Sequence, residues 1–261
     1  MAGPGGKFKY HQGEIIELKD RDGNLIDYSD TRQTMRMRRE LAGLNDTLAG
    51  IEIGVPAAER RGLHLVVTDY GANKVSYVLP TPGNGLVRKF SRGSFNLHGR
   101  VYGWWQNLPK WARSSMTING APVAEVDYSA LHLTMLYNQA GIKFAGDPYN
   151  IAGYQRYEVK LAVNTSFNAR TKRVAVAALA DNLGASRERA AKVIDAIQSH
   201  HKPIAGCFCS DAGIKLMYKD SSIILAALGA ANDDGIPALP VHDSMIVPVR
   251  SLDRTHHRRC L

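Results

Sequence analysis

Two acidic residues far apart along this chain of 261 residues set the strongest constraint on its fold. Asp127 ends the apolar stretch Ala121-Pro122-Val123-Ala124-Glu125-Val126. Asp243 sits in His242-Asp243-Ser244, between Ala238-Leu239-Pro240-Val241 and Met245-Ile246-Val247. Short runs rich in Val, Ile and Ala and bounded by turn residues read as strands, the second pair as a hairpin with Asp243 at its turn. The two aspartates act together only if those strands are neighbours in one sheet. Taken singly, an Asp at a strand end is usually a cap or turn residue.

The rest of the pattern mixes both periodicities. Residues 15–28 read as strand, turn, strand, because Asp22-Gly23 tolerates positive φ. Over 31–51 the apolar residues Met35, Leu41, Leu44, Leu48 and Ile51 recur at helical spacing, and the early turns carry Arg32, Arg36, Arg38 and Arg39. That basic face is either solvated or turned towards phosphates. A second strand pair is expected around Gly71-Ala72-Asn73, with a Pro/Gly-rich loop after it. Beyond Asp127 come an expected helix capped by Ser129, a helix over 155–179, another over 186–200 capped by Ser186, and an apolar one over 221–231. The segments read as a flexible Gly-rich start at 1–13, a hairpin and basic helix over 14–84, one large unit over 85–250 and a basic tail over 251–261. The expected fold class is α/β of the α+β kind, a small antiparallel sheet with helices packed around it.

Charge narrows the function. The chain has 33 Lys plus Arg against 24 Asp plus Glu, a net charge of +9, and such a balance attracts polyanions. No apolar run approaches the length of a membrane span, and the start lacks the apolar core of a secretory signal, so no membrane is expected. Cys207, Cys209 and Cys260 form neither a disulfide framework nor a zinc pattern and fit reduced thiols in the cytoplasm. Paired carboxylates in a basic chain point to phosphoryl chemistry with two Mg²⁺ ions, or Mn²⁺ in their place. Between the aspartates, Arg156, Lys160 and Asn164 recur every four residues and share one helix face, with Phe167 or Asn168 next. Arg clamps phosphate oxygens and Lys adds a point charge, a set suited to a triphosphate; a solvated basic face is the plain alternative.

These residues resemble the family A DNA polymerases, with the phage-type single-subunit RNA polymerases as more distant relatives. Asp127-Tyr128-Ser129 with His132 is similar to that family's motif A, whose Asp binds both metals. Arg156-x-x-x-Lys160 resembles motif B on the fingers helix, whose cations hold the incoming nucleotide. Val241-His242-Asp243-Ser244 resembles motif C, whose Asp is the second shared ligand and whose His lies near the primer end. Gly99-Arg100 and Gln106-Asn107-Leu108-Pro109 look like the elements that contact the primer-template. The resemblance covers residues 95–250 and implies a palm-like sheet with a fingers helix at 155–179. It further implies template-directed nucleotidyl transfer to a primer 3′-hydroxyl, with metals on Asp127 and Asp243 and His242 beside the primer. Nucleoside triphosphates would meet Arg156, Lys160, Asn164, His132 and Tyr128. The primer-template nucleic acid would meet Arg100, Gln106 and Asn107, with Arg36 and Arg39 serving as a reduced thumb.

Departures from the family pattern carry implications of their own. His132 stands where the family has a Glu that excludes the ribose 2′-hydroxyl, which leaves a DNA polymerase and an RNA-synthesising, primase-like enzyme both open. Asn164 and Asn168-Ala169 replace the family's aromatic and Tyr-Gly positions, with Phe167 as the neighbouring aromatic. Ser244 replaces a Glu, as in the RNA-polymerase relatives. A chain of 261 residues implies a small or missing thumb, and a non-catalytic nucleic-acid-binding remnant, favoured by the short basic tail and the altered fingers helix, is the third reading. Trp104, Trp105 and Trp111 are expected in the core, with stacking on an unpaired base as the alternative.

Overall fold

Long-range strand pairing, more than helix periodicity, organises this chain. A computed structural model describes residues 13–253; the expected flexible start and most of the basic tail, with Cys260, lie outside them. The chain runs through β1 (Ile16–Leu18), α1 (Arg32–Ala49), β2 (Ile53–Gly54), β3 (Glu59–Arg61), β4 (His64–Asp69), β5 (Lys74–Val78), β6 (Val87–Ser91) and β7 (Ser94–Tyr102). A helical turn at Trp104–Asn107 leads to α2 (Lys110–Arg113), β8 (Thr117–Ile118) and β9 (Ala121–Asp127). Then come α3 (Leu131–Gln139), α4 (Arg156–Asn168), α5 (Lys172–Leu183), α6 (Arg187–His200) and α7 (Gly213–Asp233), and finally the hairpin of β10 (Leu239–Val241) and β11 (Ser244–Pro248). The fold class is mixed α/β, small and mostly antiparallel sheets with packed helices. Among the described residues no helix is long and apolar enough to cross a membrane.

Several local expectations need correction. The hairpin over 15–28 forms only its turn, in which the Asp20 carboxylate accepts bonds from the Asp22 and Asn24 amides at 2.9 Å. After the bridge between Lys19 and Leu25, residues 26–28 form no strand, and β1 pairs in parallel with β6 instead. The helix over 155–179 is two helices. The backbone turns extended at Ala169, and the Thr171 hydroxyl caps α5 by accepting from the Val174 amide. Ser129 caps nothing: α3 starts behind Ala130, which is left-handed at φ 52 with no side-chain cap. The apolar helix at 221–231 extends over all of α7.

Other expectations hold. Ser186 caps α6 through the Arg189 amide at 3.1 Å, and β4 pairs with β5 around the Gly71 turn. Thr31 and Thr34 cap α1 reciprocally, hydroxyl to amide in both directions. The buried face of that helix is Thr34, Met37, Leu41 and Leu48. Met35, expected inside, is 45% exposed, because it lies nearly a third of a turn round from Thr34 on the side of the arginines.

By contact density the described residues divide into two units, and the division falls inside α7. One unit holds the residues up to Tyr128 together with those from Asp220 onward; the other is Ser129–Lys219. The first unit contains all the strands. Its five-stranded sheet has the order β10-β11-β9-β8-β2, and a three-stranded sheet, β1-β6-β7, joins strands on either side of residue 84. Ile224, Leu228 and Ala231 of α7 pack on Val126, Met245 and Val247 of the larger sheet. Each of the larger of these side chains, the Ile, Leu, Val and Met, contributes about 1.5–3 kcal/mol relative to exposure. This core lies on the sheet face opposite Asp127, because side chains alternate along β9.

Candidate active site

Strand register brings the two aspartates together. β9 and β11 are antiparallel neighbours with Asp127 directly opposite Ser244, so Asp243 is one residue beyond the facing pair. Paired strands lie about 4.8 Å apart, so the acids share one corner of the sheet, where β9 ends and the hairpin turns. Asp127 is exposed and Asp243 half-buried. The turn itself is tight: His242 adopts φ 54, a left-handed conformation uncommon for any residue with a Cβ. Although His242 is exposed, partial desolvation of its ring at the turn, helped by the Arg100 guanidinium, lowers the imidazole pKa from its usual value.

The strands are braced from below. Trp105 is fully buried and donates its indole N–H to the Pro240 carbonyl at 2.8 Å, and Gln106 Nε2 donates to the same oxygen at 2.9 Å and to Val101 at 3.1 Å. Pro240 belongs to β10, so these bonds fix the strand that leads into His242 and Asp243. Gly103 is required there, because a Cβ on it would lie 2.4 Å from the Trp105 ring. Gln106, expected at a duplex, thus has its side-chain nitrogen committed to the fold, whereas Asn107 is exposed. Trp104 is buried as expected, but Trp111 is 42% exposed.

Arg100 is likewise engaged internally. Its guanidinium bonds both oxygens of Asp220, at 2.5 and 3.3 Å, and the Asp220 side chain is wholly buried. The preceding carbonyl, Gly99, accepts from Arg88 Nε at 2.8 Å and from the Ser221 hydroxyl. On α1, Arg38 is tied to Asp30 and Glu14, while Arg36 and Arg39 are exposed and line an open groove of about 1010 Å³ with Arg32. Arg36 also meets Glu40 at 3.7 Å, an exposed pair of little energetic weight.

Sequence reasoning passed over three residues of this corner. Glu125 lies two positions before Asp127, hence on the same face of β9, and its carboxylate accepts from the buried Ser244 hydroxyl at 2.7 Å. Arg113 meets Glu125 at 3.6 Å and donates to the Leu108 carbonyl at 2.9 Å, which links the corner to Leu108-Pro109. Period-two alternation along β9 was the available signal for Glu125. Nothing local marks Asp220 or Arg113.

In the second unit, Arg156, Lys160 and Asn164 occupy one exposed face of α4, as their spacing requires. Gln155 and Glu158 box the start of that helix, and Arg189 holds Glu158 at 3.0 Å. Arg156 is bonded to Asp147 at 2.6 Å and lies over the Tyr149 ring, whereas Lys160 makes no ion pair among the described residues. Phe167 points inward, stacked on Phe208 at 4.9 Å with His132 edge-on to it at 6.3 Å. It is therefore a core residue and not a platform for a base. Tyr128 packs half-buried beside the α7 core.

The donor chemistry of the corner suits a hard divalent cation. Mg²⁺ takes oxygen ligands and commonly binds through one or two carboxylates, completing its shell with water and substrate phosphates. Asp127 and Asp243 offer that minimum; among the described residues no group of three or more His, Cys, Asp or Glu is gathered as a ready metal cage. No protein-family model and no curated protein matches the chain.

Proposed function

We propose that this chain catalyses template-directed nucleotidyl transfer, extending a primer from nucleoside triphosphates. The observation that supports it most is the pairing of β9 with β11, which sets Asp127 beside the Asp243 turn across nearly half the length of the chain. In the reaction a primer 3′-oxygen bonds to the α-phosphorus, the bond to the bridging oxygen breaks so that pyrophosphate leaves with its electron pair, and the hydroxyl proton passes to water. Asp127 and Asp243 would hold Mg²⁺, which when bound stabilises the attacking and leaving oxygens as a Lewis acid. His242 would orient the primer end, and Lys160 would offset charge on the leaving phosphates. Arg156 adds a second cation only by exchanging Asp147 for phosphate. Arg100 and Gln106, both bonded within the fold, would position the corner, while Asn107, Arg36 and Arg39 have side chains open to nucleic acid.

Primer extension with Mg²⁺ tests this. Wild type is expected to extend, and Asp127→Asn and Asp243→Asn to lose activity by at least about a thousandfold with melting nearly unchanged, since neither acid is a core residue. Wild type that binds primer-template yet extends nothing would establish the non-catalytic remnant instead. His132 and Ser244, standing where the polymerases it resembles carry a Glu, favour an RNA-synthesising version of the same reaction, which parallel assays with ribo- and deoxyribonucleotides decide.

A further inference from the structure

Tyr102 ends β7 beside the hairpin turn, its ring 6.3 Å from that of His242 and edge-on to it. Its hydroxyl is 3.1 Å from His98 Nε2, and His98 Nδ1 is 2.9 Å from the Lys89 carbonyl oxygen. A carbonyl only accepts, so Nδ1 carries the imidazole proton and Nε2 is a bare acceptor. Burial holds the His98 pKa below its ordinary value, which keeps the ring neutral near pH 7. The single phenolic proton of Tyr102 therefore goes to His98, and its oxygen has only lone pairs to offer anything else. Lys89 fixes the ring further, lying 5.5 Å over it while paired with Glu17 at 3.4 Å. The result is a phenol oxygen that accepts but does not donate, on a ring that stands edge-on to that of His242.

We infer that Tyr102 reads the sugar at the primer end by accepting a hydrogen bond from a ribose 2′-hydroxyl, so that the preferred acceptor strand ends in a ribonucleotide. This rests on the nucleotidyl-transfer reading, in which His242 adjoins the primer end. A deoxyribose end has no 2′-donor, and the oxygen then remains with water.

The test compares kcat/KM for extension of primers identical except for a terminal ribose, deoxyribose or 2′-fluoro sugar. Wild type is expected to favour the ribose end by roughly fivefold, the size of one neutral hydrogen bond, and to treat the 2′-fluoro end, which cannot donate, like the deoxyribose end. Tyr102→Phe should bring the ratio near one by slowing only the ribose primer. His98→Leu, which frees the phenol to rotate, should lower the ratio part way. Equal use of all three ends by wild type, or a Tyr102→Phe variant that slows them equally, overturns the role of Tyr102 and leaves the reaction standing. Extension of none of them overturns the reaction itself.

Discussion

The acidic corner of the first unit and the cationic face of α4 in the second assemble their charges in different ways. Asp127 and Asp243 meet through the register of strands distant in sequence, backed by an apolar core and by bonds from Trp105 and Gln106. Arg156, Lys160 and Asn164 share a face merely because a helix repeats every 3.6 residues. Register places groups that the local chain cannot bring together, but it depends on everything beneath the strands. Helical spacing needs no such support, and there the partner of each charge is set by whichever acid lies nearby, as Asp147 shows for Arg156.

Acidification should separate the two regions most clearly. His201 in the second unit is buried, accepting from the Tyr137 hydroxyl and donating to the Pro148 carbonyl, and burial together with neighbouring His200 pushes its pKa down to about 4. The unfolded chain takes up that proton near pH 6.5, so the contribution is complete above pH 6.5 and is lost as pH falls towards 4. The loss amounts to about 3 kcal/mol at most. His98 and His242 of the first unit are pushed in the same direction. All three tryptophans lie in the first unit and most of the helix in the second. The far-UV circular dichroism midpoint should therefore fall further between pH 7 and 5 than the tryptophan fluorescence midpoint. Coincident shifts would break the comparison, and His201→Gln should remove most of the difference.

A smaller effect bears on the helix face. Lys160→Ala should raise KM for the nucleotide by about thirtyfold, near 2 kcal/mol for a charged hydrogen bond, and Arg156→Ala by less than about fivefold because its charge is already matched by Asp147. The reverse ranking would show that Arg156 leaves Asp147 when substrate binds. Smallest is the brace between the acid strands: Ser244→Ala should cost about 1 kcal/mol in denaturant unfolding, and Glu125→Gln less, since its amide oxygen still accepts. An unchanged Ser244→Ala midpoint would remove Glu125 from the account of how the corner is held.

Much of this arrangement is legible in the residues, and what is missed has physical causes. The strand into Asp127, the hairpin around Asp243, the Ser186 cap and the exposed face of α4 follow from alternation, turn chemistry and helical period. The break between α4 and α5 does not, because helix formers continue on both sides and only the extended Ala169 with the Thr171 cap divides them. The parallel pairing of β1 with β6 is likewise invisible locally; Asp22-Gly23 marks the turn but not the partner of the strand before it. The motifs around Arg100 and Gln106 point to nucleic acid, yet the bonds of these side chains go to Asp220 and Pro240, residues that only the fold brings near. Phe167 had the spacing of a surface aromatic and lies inside because Phe208 covers it.

The central strand pair has a consequence for biosynthesis. β9 leaves the ribosome well before β11, and the whole of Ser129–Lys219 is made in the interval. Until then β9 has only the short β8 beside it and an unfilled edge. Contacts so distant in sequence form slowly, and open edges invite pairing with other chains. A nascent polypeptide halted before residue 244 can own a finished helical unit and still lack the corner, so chaperone dependence and truncation damage should concentrate on this late closure.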